Sequence, residues 1–187
     1  MSQPLGTHIG NALEVKEAID ALQGKLSPQD PLMKVCALLA REMLMLGGLC
    51  SGPEEGEALF FKAVEDGSAM EKLKTLFANL GADMNAFDHF DDLVQVKRKV
   101  AVPAATAGYL TRIEAAEVGR AAHMLGAGRA KTEDVLDPAV GVVLHNRVGE
   151  SVFAGEALAT LYVNDDGEFA AVMDILGNAL TVWAESR

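Results

Sequence analysis

Basic residues are in short supply in this sequence. Sixteen Lys and Arg stand against 27 Asp and Glu, for a formal charge of −11. A nucleic-acid groove or an anionic membrane surface needs clustered Lys and Arg, so neither is expected as a partner. A small anionic ligand needs only one local positive site and stays open. Cysteine is almost absent. Cys36 and Cys50 show no CxxC or Cys/His spacing, which argues against zinc and fits a reducing, cytoplasmic compartment. Cys36, among Val35, Leu38 and Leu39, reads as a packed thiol. Trp and Tyr total only three, so aromatic platforms are not the building principle. The most apolar stretch, Leu38 to Leu49, is broken by Arg41 and Glu42 and is too short to span a bilayer. Residues 1–20 lack the basic start and apolar run of a signal peptide. GxSxG, Walker and HExxH patterns are all missing.

What is present suits a globular chain. At 187 residues with 50% apolar content, it can build one large core or two small ones. Residues 1–81 read as helices. Asn11 with Glu14 has capping-box spacing, and Leu13, Ala18, Ile19 and Leu22 form a stripe. A second helix is predicted from Asp30-Pro31 to Gly47, with Val35, Cys36, Leu39 and Met43 on its stripe, and a third over Glu54–Val64. Ser68 with Glu71 repeats the capping box, opening a helix that Gly81 ends. Residues 82–98 are charge-dense with weak periodicity and read as a connecting segment. From Val100 the pattern turns strand-like and glycine-punctuated, with a helix over Glu114–Leu125 and β runs in AVGVVLH and ALATLYV. Phe169, Val172, Met173, Leu176, Leu180 and Trp183 recur at helical spacing, predicting a closing helix over Glu168–Ala184 that Trp183 anchors.

Few residues advertise chemistry. Asp88, His89, Asp91 and Asp92 could hold a metal, but an acidic solvated loop is the simpler reading. Gly126 to Arg129 (GAGR) could present N–H groups and a guanidinium to an anion. Without GxGxxG spacing after a strand, a helix-ending turn with a structural Arg129 is preferred. His8, His89, His123 and His145 are scattered and read as packed side chains rather than bases. Glu17, taken alone, is a solvated helix carboxylate. RVGESVFAGEALATLYV has the glycine-turned strand pair of a biotinyl or lipoyl carrier. No lysine lies between Lys131 and Arg187, so a swinging arm is excluded and the module is structural.

SQPLG followed by GNALEVKEAI resembles the thymidine and pyrimidine-nucleoside phosphorylases, and the similarity runs through nearly the whole chain. VEDGSAMEKLKTLFANLGAD is similar to that family's helix pair. GAGR, Glu133-Asp134, DPAVG and VGE…GEALA follow in the order of its C-terminal domain. The resemblance implies phosphorolysis of a pyrimidine nucleoside to free base and pentose 1-phosphate, with phosphate as co-substrate. The family's phosphate-binding Lys/Ser/Thr loop and its base-holding Arg, Ser and Lys lie upstream of SQPLG, so this sequence does not contain them. Met1 corresponds to an internal methionine, and the chain is expected to be a C-terminal portion, inactive alone. The full-length family is homodimeric.

One set of site residues carries over. Some bacterial members hold a potassium ion near the phosphate loop. Its ligands resemble the Leu5 and His8 carbonyls and the Glu17 carboxylate, an all-oxygen set suited to a hard cation. The expected fold is α+β: a helical remnant of the family's central α/β domain over 1–81, a linker over 82–98, and a compact α+β domain over 99–187 with a small antiparallel, barrel-like sheet. The competing expectation is a non-catalytic interaction module, or a split-enzyme subunit binding a separate N-terminal chain. A related phosphoribosyltransferase is the third.

Overall fold

The structure is a computed structural model describing residues 2–129, 133, 135–165 and 167–184, apart from the side chains of Ala86, Asp88 and Leu93. Met1, Lys131 and Asp134, which entered the sequence argument, lie outside the described residues. The elements run β1 (His8–Ile9), α1 (Asn11–Leu22), α2 (Pro31–Leu46), α3 (Pro53–Glu65), α4 (Ser68–Asn79), α5 (Met84–Asp88), β2 (Arg98–Pro103), β3 (Gly108–Ile113), α6 (Ala115–Ala122), β4 (Gly141–Leu144), β5 (Ser151–Val152), β6 (Ala157–Val163), α7 (Phe169–Ala179) and β7 (Leu180–Trp183). A 3-10 turn at Phe90–Val94 and a π turn at His123–Ala127 complete them. This is the mixed helix and sheet expected of an α+β chain.

The chain divides into two compact units, Met1–Val15 with Asp91–Arg187, and Lys16–Phe90. The first fifteen residues therefore group with the β-rich part rather than with the helices that follow them. In the helical unit, Asp30 caps α2 by accepting from the Leu32 N–H at 2.8 Å, with Pro31 in the first turn. Ala21, Met33 and Val64 form a small core with Phe60 and Phe61 against it. Helix α4 ends in a Schellman motif: Ala82 N–H bonds Phe77 O and Gly81 N–H bonds Ala78 O, both at 3.0 Å, with Gly81 at φ +79°. Burial pushes the Cys36 thiol above its ordinary value, so it is a poor source of thiolate.

Several expectations change here. Ser68 does not cap α4; Gly67 holds the cap position and Ser68 is already helical, its N–H bonding Asp66. Residues 82–98 are not a plain connection. Asp83 caps the short α5, whose buried Phe87 packs edge-on to Phe77 at 5.7 Å. The expected stripe of α2 is also turned round. Met33 and Ala37 face inward, whereas Leu38, Leu39, Met43 and Leu46 are exposed, Leu46 by 89%.

In the β-rich unit, two antiparallel sheets enclose the main core. One has the order β1-β4-β6-β2 and the other β5-β3-β7; neither closes into a barrel among the described residues. Strand β6 is central, paired with β2 from Arg98↔Val163 to Pro103↔Ala157 and with β4 from Gly141↔Tyr162 to Leu144↔Ala159. Its Leu161 is completely buried, alongside Val118, Val142, Val172 and Leu176. Helices α6 and α7 supply the apolar faces that close this core. The predicted closing helix stops at Ala179, and the chain passes without a loop into β7. Trp183 sits opposite Tyr109 and is 72% exposed, so it is an outward strand residue and not a core anchor. Thr181-Val182 is the β-branched signal that the helical spacing of Leu176, Leu180 and Trp183 hides.

Three outcomes follow from this packing. Leu161→Ala is expected to lower stability by about 2–5 kcal/mol, read from denaturant unfolding. Gly141 lies at φ +154°, and a Cβ there would stand 2.2 Å from Ile9 O. Gly141→Ala is therefore expected to cost about 1–3 kcal/mol in backbone strain alone, with loss of β1 pairing in amide exchange. Trp183 is the only tryptophan, so acrylamide should quench the folded chain's emission nearly as well as that of the unfolded chain.

Candidate functional site

The stretch up to Val15 belongs to the β-rich unit and is held there by backbone bonds. β1 pairs antiparallel with β4, His8 opposite Val143 and Ile9 opposite Val142. One step earlier, Leu144 N–H donates to Thr7 O at 2.8 Å. Hydrogen-bonded and non-bonded positions alternate in an antiparallel ladder, so His8 occupies a non-bonded position and its carbonyl is directed away from β4. One step later, Gly10 meets Gly141 where no side chain fits: a Cβ on Gly10 would stand 2.6 Å from Val140 O.

This crossing delivers the chain into α1, whose first turn is satisfied from outside the helix. Ala12 N–H donates to Pro138 O at 2.9 Å, and Asn11 Nδ2 donates to Ala127 O at 2.8 Å. Asn11 is thus a tertiary tether rather than a cap. Glu14 does reach back, but to the Gly10 N–H at 3.2 Å, one residue earlier than the sequence spacing implied. Glu17 is 6% exposed, on the face of α1 that carries Leu13 and Ala21 at four-residue steps. The solvated carboxylate of the sequence reading is therefore a buried one, a group that folds tolerate only when hydrogen bonds or positive charge compensate it.

The Leu5 carbonyl has a partner that sequence reasoning missed. Arg147 Nη1 donates to it at 3.2 Å across 142 residues of sequence. Arg147 stands in a tight turn after β4. Its own N–H bonds Glu150 Oε2 at 2.9 Å, Glu150 N–H bonds Arg147 O at 3.1 Å, and Gly149 N–H bonds the Leu110 carbonyl at 2.8 Å. No local pattern could have flagged this pairing, since it depends on the β1–β4 register.

Of the residues expected to meet a potassium ion, Leu5 and His8 lie on the strand-paired loop and Glu17 on α1. All three offer oxygen, the donor type a hard cation takes. At Leu5, however, the oxygen already faces a permanent cation. Two unit charges about 4 Å apart at an effective dielectric of about 20 repel by about 4 kcal/mol.

The other sequence candidates take structural places. Gly126 and Ala127 of GAGR offer carbonyls, bonded by Asp137 N–H at 3.0 Å and by Asn11, while Arg129 is exposed with no ion pair among the described residues. His8 Nδ1 lies 3.0 Å from Thr7 Oγ1, and His145 Nε2 2.7 Å from Thr160 Oγ1. Asp91, Asp92 and His89 gather no metal-ligating cluster among the described residues, and the side chain of Asp88 lies outside them. No described helix is long and apolar enough to cross a membrane.

Comparison with known proteins bears on this arrangement directly. Residues 109–182 match the family described as pyrimidine nucleoside phosphorylase C-terminal domain. A pyrimidine-nucleoside phosphorylase of Geobacillus stearothermophilus is 46% identical over 164 residues, which is 88% of this chain and 37% of that protein. One of Staphylococcus aureus strain USA300 is 42% identical over the same extent. The chain thus spans little more than a third of the length of these relatives. The chain therefore carries the C-terminal domain of the pyrimidine nucleoside phosphorylase family over residues 109–182, within a similarity to such enzymes that runs through 88% of its length.

Proposed function

We propose that this chain is the C-terminal portion of a pyrimidine-nucleoside phosphorolysis enzyme, acting only together with a polypeptide that supplies the rest of the family's length. In such a reaction a phosphate oxygen forms the bond to C1′ of the pentose as the C1′–N bond to the pyrimidine breaks. The pentose 1-phosphate and the free base result, the base taking up a proton. Positive charge is needed to hold phosphate and to stabilise the departing base. The loop before α1 offers backbone carbonyls and α1 carries the buried Glu17 carboxylate, neither of which is a phosphate-binding chemistry by itself.

The observation that carries this reading is helix α2. Met33 and Ala37 are buried on one side, while Leu38, Leu39, Met43 and Leu46 are exposed on the other. A helix apolar on both sides is one built to be buried from both sides. In a chain spanning 37% of its relatives, the outward face is where the remaining polypeptide docks.

The purified chain alone is expected to release no base from thymidine or uridine in the presence of phosphate. Co-expressed with a polypeptide carrying the relatives' remaining length, it is expected to co-purify and to restore phosphate-dependent cleavage. Phosphorolysis by the chain alone would overturn the proposal. A stable complex without activity would favour the interaction-module reading, for which the same α2 face is the relevant observation.

A further inference from the structure

We propose that the Arg147 guanidinium takes, at the Leu5 carbonyl, the place expected of a bound monovalent cation, so that the Ser2–His8 loop of this chain is ordered without one. The inference rests on the family assignment only for the kind of loop this is. Its substance is the partly buried bond from Arg147 Nη1 to Leu5 O, 3.2 Å long.

Three features make the guanidinium a fixed occupant. Its charge is permanent, because arginine is not deprotonated in proteins, and its planar fork holds a set direction. Its backbone is immobilised by the Glu150 and Leu110 bonds of the turn. The pairing of His8 with Val143 and the Leu144 N–H to Thr7 O bond hold the segment just after Leu5 beside the end of β4, from which the Arg147 turn follows. A carbonyl oxygen has two lone pairs and can accept twice. A second cation on this oxygen would nonetheless meet a like charge at close range, in a place that is partly shielded from water. The fold thus supplies internally the positive charge that the all-oxygen loop would otherwise draw from solution.

Amide exchange of residues 5–9 in the purified chain tests this, compared in potassium chloride and in tetramethylammonium chloride at equal ionic strength. The unmodified chain is expected to show the same protection in both salts. Arg147→Met, which keeps the aliphatic stem, is expected to exchange about tenfold faster there, the change that follows loss of one charge-assisted hydrogen bond. Exchange in β6 should stay unchanged, which also reports that the variant folds. Arg147→Lys, keeping the charge, is expected to retain most of the protection. Potassium-specific protection of the unmodified chain would overturn the proposal, as would Met and Lys variants that behave alike. A failed co-expression experiment would leave these readouts intact, so the two proposals fail separately.

Discussion

The β-rich unit depends on one close approach, the crossing of Gly10 and Gly141. Both residues adopt positive φ, and each would drive a Cβ into the other strand's backbone, to within 2.6 Å of Val140 O or 2.2 Å of Ile9 O. That proximity lets two residues of β1 add to β4. It also brings the first turn of α1 within reach of Pro138 O and Ala127 O. Backbone bonds make most of the join, with Asn11 and Arg147 each adding one side-chain bond to a carbonyl. Backbone geometry fixes the loop, and the loop's carbonyls acquire their directions from the ladder. Any chemistry assigned to the His8 carbonyl is inherited from this register.

Local order was legible wherever a single element carried its own signal. Asp30-Pro31 announced α2, Gly81 announced the end of α4, and ALATLYV announced β6, because caps and β-branched runs act over a few residues. Legibility failed where distant partners decide. Phe87 makes a helix of a charge-dense stretch by packing on Phe77. Glu17 is buried although nothing in GNALEVKE separates an inward carboxylate from an outward one. In the site, Leu5, His8 and Glu17 could be named from a resemblance. Arg147 could not, because its bond to Leu5 spans almost the whole chain.

Charge and apolar surface are both distributed unusually. In an acidic chain of net charge −11, Arg147 places one of the few cations on the Leu5 backbone carbonyl. Helix α2 leaves several large apolar side chains in water, which offers no stabilisation to a stand-alone domain and exposes it to association.

The passage from α7 to β7 without a loop couples two different periodicities. One residue inserted into the helix would turn everything after it by about 100° about the helix axis. A one-residue slip in the strand that follows exchanges its inner and outer faces. Such a change would bring Trp183 toward the core and push Val182 outward. Length variation is therefore barred from this junction, and kin of this chain should differ in length in the connections between elements and keep this helix and strand as a single geared piece.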